Sequence, residues 1–130
     1  MTSRSTETGC VFCTIARQQF VAKNRLAYGV RDTSPVTPLH TLILPHRHVA
    51  SYFDLTAEEK RAIDDLLDEI RIDILARDPM VAGFNIGINV GEAAGQTIFH
   101  CHVHLIPRRP GDIGNPRGGV RAVIPGKADY

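Results

Sequence analysis

Between Phe84 and Val90 apolar and polar positions alternate strictly, with Phe84, Ile86, Ile88 and Val90 set against Asn85, Gly87 and Asn89. That is the period of a strand with one buried face, and it turns Asn89 toward the polar side. The same period returns in His100-Cys101-His102-Val103-His104-Leu105-Ile106-Pro107, a second strand ended by its proline. Upstream, Leu26 to Arg31 and Leu39 to Leu44 are rich in strand formers. The turn chemistry of Asp32-Thr33-Ser34-Pro35 and Pro38 between them predicts two neighbouring antiparallel strands. After Leu55 the period changes. Ile63, Leu66, Leu67, Ile70 and Ile74 share one face at helical spacing, Thr56 with Glu59 three residues on forms a capping box, and the helix must stop before Pro79. An antiparallel sheet with a long covering helix is an α+β fold.

A chain of 130 residues can bury a real core in one domain and is too short for two, so residues 1–130 are expected to form a single domain. Residues 1–9 are polar and expected to be flexible. Residues 111–130, punctuated by Gly and Pro, are expected to form an extended C-terminal tail. The net charge of +1 lacks the footprint of a nucleic-acid binder and leaves room for a locally positive pocket, which suits a small anionic ligand. No apolar run serves as a signal segment or a bilayer span, so a cytoplasmic protein without membrane contact is expected. The three cysteines make no even disulfide framework. In a reducing compartment the pair Cys10-x-x-Cys13 reads as metal-binding or redox-active, with inert burial as the bland alternative. Cys101 projects opposite to the histidines, as a core residue would.

Histidines at i, i+2 and i+4 of a strand project from one face, where they pack poorly and repel one another if protonated. Such a cluster serves chemistry better than packing. One candidate is a trihistidine zinc site with an open position for water. The other is nucleophilic: imidazole is neutral enough near pH 7 to attack phosphorus, and the phosphoramidate it forms can be discharged by water.

The run His100-Cys101-His102-Val103-His104-Leu105-Ile106 resembles the signature of the histidine triad superfamily of nucleotide hydrolases and transferases. Asp32-Thr33-Ser34-Pro35, His40-Thr41-Leu42-Ile43-Leu44-Pro45 and Gly95-Gln96-Thr97 resemble its other blocks in the same order. The similarity extends from about Cys10 to Asp112. It implies that His102 is the nucleophile, with its second ring nitrogen held by the backbone carbonyl of His100. It also implies that His104, Thr97, Asn89 and Gln96 meet the phosphate oxygens or the departing group, and that Asp32 holds ribose hydroxyls. Asp32 is also good turn chemistry, and His40, matched to a histidine near the phosphates, could equally be structural support. Some relatives carry a structural zinc, for which the matching ligands are Cys10, Cys13, His48 and His100, leaving His46 over and exposed. Magnesium is expected only as a chelate of a polyphosphate substrate. A homodimer is implied as well.

Three functions follow from the resemblance. The run Ile106-Pro107-Arg108-Arg109-Pro110-Gly111-Asp112 looks like that of diadenosine polyphosphate hydrolases, which favours hydrolysis of dinucleoside polyphosphates through a nucleotidyl-histidine intermediate. A nucleoside phosphoramidase cleaving a P–N bond is the alternative, and a nucleotide-binding protein with vestigial catalysis is a third. Arg117 and Arg121, in a glycine-rich stretch, could fold over the phosphates or stay solvated.

Overall fold

The computed structural model describes residues 9–130. The expected flexibility of residues 1–9 therefore falls, apart from Gly9, outside the described residues. Five antiparallel strands form one sheet: β1 (Phe20–Lys23), β2 (Ala27–Arg31), β3 (Thr41–Pro45), β4 (Gly83–Ile88) and β5 (Val103–Arg108). Their spatial order is β1-β2-β3-β5-β4, so the strand that carries the last triad histidine lies between β3 and β4.

One helix, α1 (Ala57–Arg77), covers one face of this sheet. Ile63, Leu66, Ile70 and Ile74 from the helix pack with Ala27, Ile43, Val103 and Leu105 from the strands. The contact is close at Gly29, where a Cβ would sit 2.5 Å from Ile70 Cδ1. The helix begins as its sequence dictates. Thr56 Oγ1 accepts from Glu59 N–H at 3.0 Å, and the Glu59 carboxylate accepts from Thr56 N–H at 2.9 Å. Glu59 is buried and also receives Arg47 at 2.7 and 3.0 Å, which holds its carboxyl below the usual carboxylate range.

The opposite face carries Tyr28, Val30, Leu42 and Leu44, covered by Phe12, Ile15 and Phe20 from the N-terminal side. Register places His104 across from Leu42 on β3 and from Gly87 on β4, and Leu42 in turn across from Val30. Residues paired in this way share a face. His104 therefore stands beside an apolar floor on the face that α1 leaves open.

Three elements differ from the sequence expectation. β1 carried no clear pattern and is a short edge strand. β5 starts only at Val103, because Cys101 N–H donates to Val49 O at 2.7 Å and bends His100 to His102 away from the ladder. The tail, expected to be extended, holds a 3-10 helix (Gly119–Val123) beside β4. Among the described residues no helix is long and apolar enough to cross a membrane.

Candidate active site and metal cluster

The bend before β5 decides what each triad histidine does. His100 is fully buried and turns toward the cysteines, whereas His102 and His104 line a cavity of about 750 Å³. A trihistidine metal site is thereby ruled out. The cavity has an apolar part, with Phe12, Ile15, Val30 and Leu42, and a polar part that includes Asp32, Asn89, Thr97, His102 and His104. The edge of Phe12 rests on the His102 ring, with centroids 5.0 Å apart.

Hydrogen bonds settle the tautomers. His102 Nδ1–H donates to the His100 carbonyl at 2.8 Å, which leaves the lone pair on Nε2. Val36 N–H donates to His40 Nδ1 at 3.0 Å, so the His40 proton resides on Nε2 and points at His104 Nδ1, 3.0 Å away. His104 must then carry its own proton on Nε2. Burial, reinforced by the neighbouring His102 and His40, pushes the His104 pKa down to about 4. Burial likewise lowers that of His40, against the pull of Asp32. Both rings are neutral near pH 7. The cavity thus offers a nucleophilic nitrogen on His102 and a neutral N–H donor on His104.

Asp32 is a turn residue that also borders the cavity. Its Oδ1 accepts from Ser34 N–H at 2.8 Å as a turn residue, its Oδ2 lies 3.5 Å from His40 Nε2, and the side chain still borders the cavity. His40 is buried and supports His104 instead of bordering the main cavity. Asp32, His40 and His104 lie close enough to form a ligand set. Their hydrogen bonds speak against it, because the Val36 donor keeps a proton, not a lone pair, on the His40 nitrogen that faces the others.

Gln96 has a different task from the expected phosphate contact. It is buried, its Oε1 accepts from Gly91 N–H at 2.9 Å, and its Nε2 donates to the carbonyls of Ala50 at 2.9 Å and Ile98 at 3.2 Å. The amide shapes the loop that presents Thr97. Arg117 and Arg121 also face elsewhere: both guanidinium groups lie over the Tyr130 ring, at 5.1 and 4.7 Å, and Arg121 Nε–H donates to Lys127 O. The apolar floor at Val30 and Leu42 went unassigned in the sequence, although their alternation with Gly29 and Ile43 carried the signal.

Past His104 the cavity continues into a hollow of about 480 Å³ along β4. Asp32, Asn89 and His104 border both spaces, while Ile86, Val120 and Val123 supply an apolar wall. Among the described residues no Lys or Arg borders this hollow. Arg31, the one such described residue beside the main cavity, has its guanidinium bonded to Thr41 and Asp73.

Cys10, Cys13, His48 and His100 bring four ligand atoms within 4.8 Å of one another. Cys13 Sγ lies 3.3 Å from His48 Nδ1 and 3.5 Å from His100 Nδ1, and Cys10 Sγ lies 3.6 Å from His100 Nδ1. With ordinary zinc–sulfur and zinc–nitrogen bond lengths, the sulfur-to-nitrogen edge of a tetrahedron is about 3.6 Å. The residues fit. His100 Nε2–H donates to Pro45 O at 2.8 Å, which leaves Nδ1 free to ligate, and burial pushes its pKa down to about 4, in the neutral form a metal needs. Four protein ligands close the coordination sphere, so such a site is structural. His46, expected to be exposed, is half-buried against Tyr28, with ring centroids 5.1 Å apart.

Residues 14–111 match the HIT domain family. A zinc-bound histidine triad family protein from Mycobacterium smegmatis superposes with a TM-score of 0.68 at 37% identity, over 79% of this chain and 77% of that one. The diadenosine triphosphate hydrolase of Plasmodium falciparum superposes with a TM-score of 0.67 at 32% identity, over 78% of this chain and 68% of that one. An AP-4-A phosphorylase of Mycobacterium tuberculosis is 34% identical over 93 residues, which are 71% of this chain and 47% of that protein.

Proposed function

Because this chain belongs to the HIT domain family, and so to a group of nucleotide hydrolases and transferases, we propose that it transfers a nucleotidyl group through His102. The carrying observation is the His102 ring, fixed by the His100 carbonyl with its Nε2 lone pair available in a cavity that also holds the His104 donor. The nucleoside lies on the apolar floor, with Asp32 accepting from ribose hydroxyls. His102 Nε2 attacks the α-phosphorus, and the bond to the leaving group breaks as the phosphorus–nitrogen bond forms. Thr97, Asn89 and the His104 N–H stabilise the charge on the phosphate oxygens and on the leaving atom, which takes its proton from His104 or from water. Water then attacks the same phosphorus, the phosphorus–nitrogen bond breaks, and a nucleoside monophosphate departs. Magnesium chelated to a polyphosphate substrate would neutralise charge on the leaving phosphates.

Dinucleoside polyphosphates are the proposed substrates, supported by the names that the Plasmodium and Mycobacterium tuberculosis relatives carry. A specific observation favours the second reading, a nucleoside phosphoramidate with an amine leaving group: the hollow beyond His104 is apolar-walled and, among the described residues, holds no cation to receive a phosphate chain. A structural zinc on the cysteine–histidine cluster belongs to the same proposal, in a reducing compartment such as the cytoplasm. So does a homodimer, for which β4 offers an open sheet edge with Ile86 half-exposed.

The test is to incubate the protein with diadenosine tetraphosphate labelled at the α-phosphate and, separately, with a labelled adenosine phosphoramidate, then quench in alkaline denaturant. Label should remain on the wild-type chain and be absent from His102→Ala, whose turnover should drop by several orders of magnitude. Turnover by His102→Ala above a few per cent of wild type excludes the covalent route, and the relative rates of the two substrates decide the leaving group.

A further inference from the structure

The sheet face that bears the reaction cavity holds a second basin on the far side of the Phe12–Ile15 segment, whose two end residues border both spaces. Its volume of about 680 Å³ suits a ligand of nucleotide size. The basin is bordered by Arg17, Lys23 and Arg25 and, among the described residues, by no carboxylate. Among the described residues neither Arg17 nor Lys23 has a carboxylate partner, and Arg25 reaches only Glu58, at 4.0 Å and with both ends largely exposed. Three cations are thus gathered in one hollow of a chain whose net charge is +1. An anion placed there gains the field of all three.

The rest of the basin is aromatic. Phe20 stacks on Tyr28 with centroids 4.3 Å apart and planes 18° apart, and His46 lies 5.1 Å from Tyr28 at 30°. The polar groups nearby are already spent. Tyr28 Oη–H donates to Phe12 O, the Asn24 amide bonds Ala62, Leu26 and Ala27, and His46 Nε2–H donates to Asn24 O. What remains for a ligand is ring surface and positive charge, which is the chemistry of a flat anion.

We infer that this outer basin is a second binding site, separate from the His102 cavity, for a nucleoside phosphate: its base lies on the Phe20 and His46 rings and its phosphates among Arg17, Lys23 and Arg25. The inference is independent of the His102 chemistry. A polymer is the poorer occupant, because the chain has no net basic excess to follow an extended phosphate backbone.

The experiment is an NMR titration of the metal-loaded protein with ADP, following backbone amides at both places. Two independent isotherms are expected, one at Val30, Thr97 and His104 and one at Phe20 and Lys23. In Arg17→Ala with Lys23→Ala the second should weaken by about tenfold or more, while the first, and turnover, stay at wild-type values. Three outcomes overturn the inference: no shift at Phe20 and Lys23 while the cavity saturates, an outer isotherm unchanged in the double variant, or tripolyphosphate binding there as tightly as ADP. A short RNA that binds the basin about a hundredfold more tightly than ADP also overturns it, in favour of a polymer site.

Discussion

Acid should weaken this fold through His104, by an amount its surroundings set. An unfolded histidine takes up its proton near its ordinary pKa of 6.5, whereas the folded His104 resists until about pH 4. Between those values the unfolded chain binds more protons than the native one, so stability falls as the pH falls. The contribution is intact above about pH 6.5, declines by up to about 1.4 kcal/mol per pH unit below it, and levels off below about pH 4, a total of at most about 3 kcal/mol that solvent screening at this half-buried ring reduces. His40 should add to the loss, since its pKa is also lowered by burial. The assay is urea unfolding of metal-loaded wild type and His104→Gln across this pH range. Subtracting one curve from the other removes whatever acid does to the metal cluster. The difference should be level above about pH 6.5 and then shift against wild type. A difference that stays flat throughout, or a His104 imidazole titrating at or above its ordinary value by NMR, would refute the reasoning.

Other expectations follow from the same geometry. Gln96→Leu leaves Gly91 N–H and the Ala50 carbonyl without their partner, so it should cost about 2 kcal/mol or more of stability and lower kcat by misplacing Thr97; thermal unfolding and steady-state kinetics check both. Protein purified without chelators should carry about one zinc per chain, and Cys10→Ser with Cys13→Ser should lose the metal together with much of the thermal stability; elemental analysis that finds none in the wild type contradicts this. Arg117→Ala with Arg121→Ala should change kcat/KM for a dinucleoside polyphosphate and for a phosphoramidate equally or not at all, because both guanidinium groups are occupied by the chain's own C-terminal residues. A selective loss on the polyphosphate would return them to the active site.

Much of the architecture could be read before any coordinates, and the reason is how each element is buried. β4 and α1 show their periods in the order of apolar and polar residues, β2 and β3, buried on both faces, show as runs of strand formers, and Thr56 with Glu59 marks the helix start within one turn. β1 escaped notice because four residues at an edge, alternately half-buried and exposed, leave too short a record. The divergence of His100 from His102 had no local signal, since it comes from a bond to Val49, more than fifty positions away. Pairing by resemblance separated the proposed metal ligand His100 from the cavity histidines where periodicity alone put all three on one face. Gln96 could not be assigned from its polarity, because an amide bonded entirely to backbone reads like one waiting for a ligand.

Glu59 occupies an unusual junction: its two carboxylate oxygens serve the first turn of α1 and the guanidinium of Arg47, the residue directly before His48. Helix initiation and the seating of a proposed metal ligand therefore share one side chain. Substitutions in the two regions cannot drift independently, and a double-mutant cycle between Thr56 and Arg47 should show coupling although the two never touch a common substrate. A lineage that gave up the metal would be released from half of that constraint, so Glu59 would persist there only as a cap, replaceable by glutamine, while in a metal-binding lineage the negative charge itself is what selection would keep.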